Sequence, residues 1–106
     1  MKTKAEGRTK FSAQWGTRLH ALAEKYGFDM GQFLATQIPN QAPIRYSTVV
    51  SWFRGDRFPG AQKLACAQKI VSTLAKKKVP LKELLDGVDV PLRTRVDLEA
   101  ITGEKW

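Results

Sequence analysis

Large apolar side chains return every three or four residues in five separate stretches of this chain, and the stretches are set apart by glycine and proline. Nothing else constrains the fold as strongly, because that spacing gathers the side chains on one face of a helix and scatters them over both faces of a strand. Trp15, Leu19, Leu22 and Tyr26, with Ala23 beside them, predict a first helix that Ser12 caps and Gly27 ends. Asp29 caps a second, carrying Phe33, Leu34, Ala35 and Ile38 and stopped by Pro39. Tyr46, Val49, Val50 and Phe53, with Trp52 among them, form a third that closes on Gly55 in the left-handed conformation. A longer fourth helix follows from Ala61, Leu64, Ala67, Ile70, Val71 and Leu74. Pro80 stands in the first turn of a fifth, with Leu81, Leu84 and Leu85 facing inward and Gly87 at its end.

At 106 residues, 42% of them apolar, the chain is long enough for one domain with a real core. Residues 11–87 are expected to hold that all-α, five-helix domain. Residues 1–10 (MKTKAEGRTK) carry no large apolar side chain and read as a basic mobile arm. Residues 88–106 are a C-terminal extension. There Val90, Leu92, Thr94, Val96 and Leu98 alternate with polar neighbours and Pro91, which favours a strand that is an edge or begins near Pro91. Leu92, Val96, Glu99 and Ile101 also fit a helix. A lone strand has no mate within the chain, so the strand reading makes Val90, Leu92, Val96 and Leu98 a contact with a second copy, and a homodimer is expected.

The formal charge is +8, unevenly placed. Residues 1–25 hold six bases and two acids, residues 61–83 six bases and one acid, and residues 84–106 three bases and five acids. A basic body with an acidic end suits a protein that lays one face on a polyanion. One cysteine and one histidine exclude a disulfide scaffold and a zinc finger. There is no glycine-rich phosphate loop and no Ser/His/Asp set, so no catalytic residue, metal or cofactor is expected. No apolar run suits a membrane span, and no spare domain remains for a small-molecule effector; a cytoplasmic protein is expected.

Arg18 to Gly27 (RLHALAEKYG), Leu34-Ala35 with Ile38, Ser47 to Gly55 (STVVSWFRG), Pro59, Leu64 to Ile70 and Leu81 to Leu85 together resemble the lambda-repressor-like helix-turn-helix family of DNA-binding domains. The resemblance covers Arg18 to Gly87, and the connection around Ile38 to Ile44 is several residues longer than is usual there. It implies a regulator of transcription that reads a palindromic site on double-stranded DNA as a dimer, with the third helix in the major groove. Carried over, the base-reading positions are Arg45, Tyr46, Ser47 and Val50, and the phosphate contacts are Gln32, Ser51 and Arg54, with Arg57 and Lys63 adding charge. The chemistry suits these roles. A guanidinium forks onto guanine, a valine touches a thymine methyl, and small polar groups fit a groove about 12 Å wide.

Several of these residues have a plainer alternative. Tyr46 packs under the long connection, Val50 belongs to the core beside Val49, and Arg54 and Arg57 are solvated charges. Trp52 and Phe53 are structural, Lys76-Lys77-Lys78 suits a helix C-terminus, His20 is a surface residue and Cys66 a small packing residue. A homeodomain is excluded, because Gly55 stands where that family needs its asparagine and Pro59 interrupts the helix. The alternative function is a protein-interaction adaptor or antitoxin-like accessory factor on the same fold. RNA binding is a third option, without the aromatic-bearing sheet typical of single-strand binders.

Overall fold

Residues 10–41 and 43–105 are described by the structure, a computed structural model of the chain. They form six α-helices and no strand: α1 (Lys10–Tyr26), α2 (Met30–Ala35), α3 (Tyr46–Arg54), α4 (Ala61–Ala75), α5 (Leu81–Leu84) and α6 (Leu92–Thr102). The expected arm lies outside the described residues except for Lys10, which opens α1.

The first five helices stand where the apolar spacing places them, with changes at their ends. Ser12 is not a cap: α1 begins earlier, and Ser12 is fully buried inside it. Phe11 packs against Phe58 at 6.2 Å between ring centroids, a contact with the α3–α4 link that draws this turn into the fold. Asp29 does cap α2. Its Oδ1 accepts from the Gln32 amide at 2.8 Å, and Gln32 Oε1 accepts from the Asp29 amide at 3.0 Å, a reciprocal capping box. α2 stops at Ala35, short of Ile38 and Pro39, where the Thr36 hydroxyl donates to the Gln32 carbonyl at 2.8 Å. Gly55 takes φ 78° at the end of α3, the left-handed conformation expected of it. Pro80 is the N-cap of α5 rather than part of its first turn.

α1 packs on α3, and α4 packs on α1, α2 and α6. Trp15, Leu19 and Leu22 of α1 meet Trp52 and Val49 of α3, Phe33 of α2 and Leu64 and Val71 of α4 in one core. Trp52 is its aromatic centre, 5.8 Å from Trp15 and 6.4 Å from Phe33. Where α1 crosses the end of α3 there is no side chain between them. A β-carbon on Gly16 would lie 2.8 Å from Gly55 Cα and 2.8 Å from the Trp52 carbonyl oxygen. Glycine at position 16 thus sets how closely the two helices approach.

The strand expected over Val90 to Leu98 does not form. Those residues run into α6, which starts after Pro91 and closes on Gly103 at φ 76°. The reason is backbone accounting. An unpaired strand leaves its amides and carbonyls without partners, whereas a helix satisfies them internally. Packing then selects the helix, since Leu98 is fully buried in the common core while Leu92 and Val96 are 75% and 55% exposed. Glu104, just past α6, accepts from the Gln68 side chain at 2.7 Å and from the Leu81 amide at 3.0 Å. Gln68 is itself buried and also donates to the Val79 carbonyl at 2.9 Å. The segment therefore belongs to the domain as a sixth helix.

Candidate nucleic-acid interface

α3 has two unlike faces. Val49 and Trp52 are buried, fixing its inner side on α1 and α2. Tyr46, Val50 and Arg54 stand four residues apart, with Ser47 and Ser51 beside them, so at about 3.6 residues per turn all five fall on the opposite stripe. Tyr46 is 66% exposed, which excludes its packing under the preceding connection. Ser47 and Arg54 are exposed too. Val50 and Ser51 are half-buried at the margin, and the Ser51 hydroxyl is turned back onto the Ser47 carbonyl at 2.9 Å. Arg45 is the N-cap residue, exposed, and its side chain makes no capping bond.

The other expected contacts stand on neighbouring segments of the chain. Arg57 is exposed on the link from α3 to α4, and Lys63 is exposed in the first turn of α4. Gln32 is exposed in the first turn of α2, where its Oε1 is held by the capping box, leaving its amide NH2 as the group that can donate outward. Lys63 also lines a half-open groove of about 410 Å³ with Pro43, Ile44, Cys66 and Ile101, immediately before α3. That groove was not legible in the sequence, because Ile101 reaches it only through the packing of α6.

Of the residues expected at a dimer contact, Leu98 is inside its own domain and Val90 is half-buried against the core. Leu92 and Val96 remain on the surface.

The acids are mostly committed elsewhere. Glu83 accepts from Lys25 Nζ at 2.8 Å and from the Tyr26 hydroxyl, and these bonds, that of Lys25 first, hold its carboxyl below the ordinary range. Lys25 is raised in turn, chiefly by the same bond. Arg18 donates twice to the Glu83 carbonyl oxygen, at 2.6 and 3.0 Å, fastening α1 to α5. Asp89 is lowered by its bond from Gln14 and then by Lys10, whose Nζ is 3.2 Å away. Arg45, Arg54, Arg57 and Lys63 are in no ion pair among the described residues. Two of these unpaired cations stand on or at the start of α3, one on the link that follows it and one in the first turn of α4.

Two further side chains have structural roles. His20 is exposed, yet its Nε2 lies 2.9 Å from the Phe53 carbonyl and its ring meets Phe53 edge-on at 5.2 Å. Cys66 is buried in α4, and burial pushes its thiol up. Among the described residues no three of His, Cys, Asp and Glu are grouped to hold a metal ion, and no helix is long and apolar enough to cross a membrane. No family model, curated protein or solved structure matches the chain.

Proposed function

We propose that this chain is a sequence-specific regulator of transcription in the cytoplasm, binding double-stranded DNA with α3 in the major groove. The observation that carries the reading is the division of α3. Its inner side is held by Val49 and Trp52, while its first turn offers Arg45, Tyr46 and Ser47 outward. A helix so held is a rigid rod that can present base-reading groups in a fixed geometry. Arg45 forks onto guanine, Tyr46 and Ser47 supply hydrogen bonds, and Val50 covers a thymine methyl. Ser51 and Arg54 on the same stripe, Arg57 and Lys63 beyond it, and the Gln32 amide on α2 fall to the phosphates, which fix register without reading sequence. One helix contacts few bases, so an operator is expected to be palindromic and bound by two copies.

Selection from a random pool of duplex DNA tests this. Enrichment of a palindrome is the expected result. A pool that stays flat overturns the reading and favours a protein-binding adaptor.

A further inference from the structure

A second hollow, of about 460 Å³, is lined from three parts of the chain: Ile38 and Pro39 of the α2–α3 connection, Gln68, Lys69 and Ser72 of α4, and Lys78 and Glu104 just past the ends of α4 and α6. That volume falls within the range of about 300–1,000 Å³ in which proteins hold small organic molecules. Such sites combine an apolar lining with a few polar groups fixed in place. Ile38 and Pro39 supply the first, and Gln68 is the best fixed of the second.

Gln68 is 6% exposed, and both hydrogens of its amide are used inside the fold, on the Val79 carbonyl at 2.9 Å and on Glu104 at 2.7 Å. These bonds settle the orientation of the amide and leave Oε1 as its remaining group, an acceptor. Ser72 Oγ accepts from the Val79 amide at 2.9 Å, which leaves its own hydrogen to donate. Lys69 is exposed and in no ion pair among the described residues. Lys78 Nζ stands 3.5 Å from Glu104 Oε2, one contact for a group with three hydrogens. Glu104 is the one acid against these two cations, and its oxygens already accept from Leu81 and Gln68, so the hollow carries an excess of one positive charge.

We propose that this hollow binds a small organic monoanion that joins a carboxylate, a compact apolar body and one N–H or O–H donor. The carboxylate takes the Lys69 and Lys78 ammonium groups and the Ser72 hydroxyl, the apolar body covers Ile38 and Pro39, and the donor reaches Gln68 Oε1. The site needs no domain of its own, because it forms between elements of a single fold. The inference stands apart from the DNA reading, since occupancy is measured on the chain alone. A hollow this open leaves part of its ligand in water, so the dissociation constant is on the order of 0.1 mM.

Indole-3-acetate is the probe, titrated into the full chain labelled with nitrogen-15 and followed by the amide resonances. Saturating shifts should centre on Ile38, Lys69, Ser72 and Thr102, which line the hollow. Tryptamine, with an ammonium in place of the carboxylate, should bind at least tenfold more weakly. 1-Naphthaleneacetate, which keeps the carboxylate and lacks the N–H, should bind about fivefold more weakly. Lys69→Glu should raise the dissociation constant for indole-3-acetate at least tenfold. Lys82→Glu makes the same change of charge at an exposed position outside the hollow and should leave it within about twofold. Both lysines are exposed, so the melting temperature of each variant checks that it folds. No saturable binding up to about 5 mM overturns the proposal, as do shifts centred elsewhere, tryptamine binding as tightly as indole-3-acetate, or equal losses from the two lysine variants. Equal binding of 1-naphthaleneacetate overturns the part given to Gln68. A chain that binds indole-3-acetate and no DNA removes the DNA reading and leaves this one standing; the converse removes this one alone.

Discussion

Gly16 of α1 lies against Gly55 at the end of α3 so closely that a β-carbon on Gly16 would stand 2.8 Å from Gly55 Cα. This contact sets the distance between the helix that anchors the core and the helix that bears the candidate DNA-reading face. Gly16→Ala should therefore force α1 and α3 apart, with a loss of about 1–3 kcal/mol for overpacking of a fitted interface. Urea unfolding measures it. A change under about 0.5 kcal/mol would show that the two helices separate freely, and that the spacing is not set here.

Recognition and affinity should separate by residue. Arg45→Ala and Ser47→Ala should each relax preference at one or two base positions, by about 1–3 kcal/mol where a bidentate contact is lost. Lys63→Ala should weaken binding to all sequences alike and reduce the salt slope by about one counterion. Titrations against the selected operator and a scrambled duplex at several salt concentrations read both quantities. Uniform weakening by Arg45→Ala would make that residue a phosphate contact and shift the register of α3.

Two leucines of α6 should behave oppositely. Leu98 is fully buried and Leu92 is 75% exposed. Leu98→Ala should destabilise the fold by about 2–5 kcal/mol, while Leu92→Ala should stay within about 0.5 kcal/mol. Thermal and urea melts of both variants check this. Equal, small effects would mean that α6 is not packed as described.

Acid should loosen the clamp on α6. Burial works to raise the Glu104 carboxyl, but the Leu81 amide, the Gln68 side chain and Lys78 together outweigh it and leave the group below its ordinary value. A carboxyl lowered in the folded state lends its full stability above its unfolded value, and loses it as pH falls through the folded one. Glu83 and Asp89 are lowered as well and act in the same sense. At neutral pH Glu104→Ala, which removes the acceptor of the Leu81 N–H and leaves the Gln68 amide with the Val79 carbonyl, should cost about 1–3 kcal/mol. The gap between native and variant should narrow below the ordinary glutamate range, in urea melts taken at about pH 7 and about pH 3. A gap of constant size would remove Glu104 as a source of acid sensitivity.

Much of the candidate site was legible in the sequence because its cause is local. The steps between Val49 and Trp52, and between Tyr46, Val50 and Arg54, assign two opposite stripes to α3 before any packing is known, and Gly55 marks where the helix ends. The Asp29 cap of α2 was readable for the same reason, since donor and acceptor are three residues apart. Whether Tyr46 lies under the connection or faces outward was not readable. That depends on the path of the chain from Thr36 to Arg45, which no local period governs.

The amino-acid order by itself determined the first five helices, because the placement of apolar side chains one turn apart is decided within each segment. It pointed the wrong way at the end of the chain: the alternation from Val90 to Leu98 favoured a strand, although Leu92 and Val96 also fit a helical spacing. Only the tertiary structure chose. With α4 in place, Leu98 has a core to enter and Glu104 finds Gln68 and the Leu81 amide, partners 36 and 23 residues away. The same holds at Gly16, whose lack of a side chain matters only once Gly55 lies against it. Contacts between residues far apart in the chain leave no periodic trace, so these features emerge only when the helices are packed together.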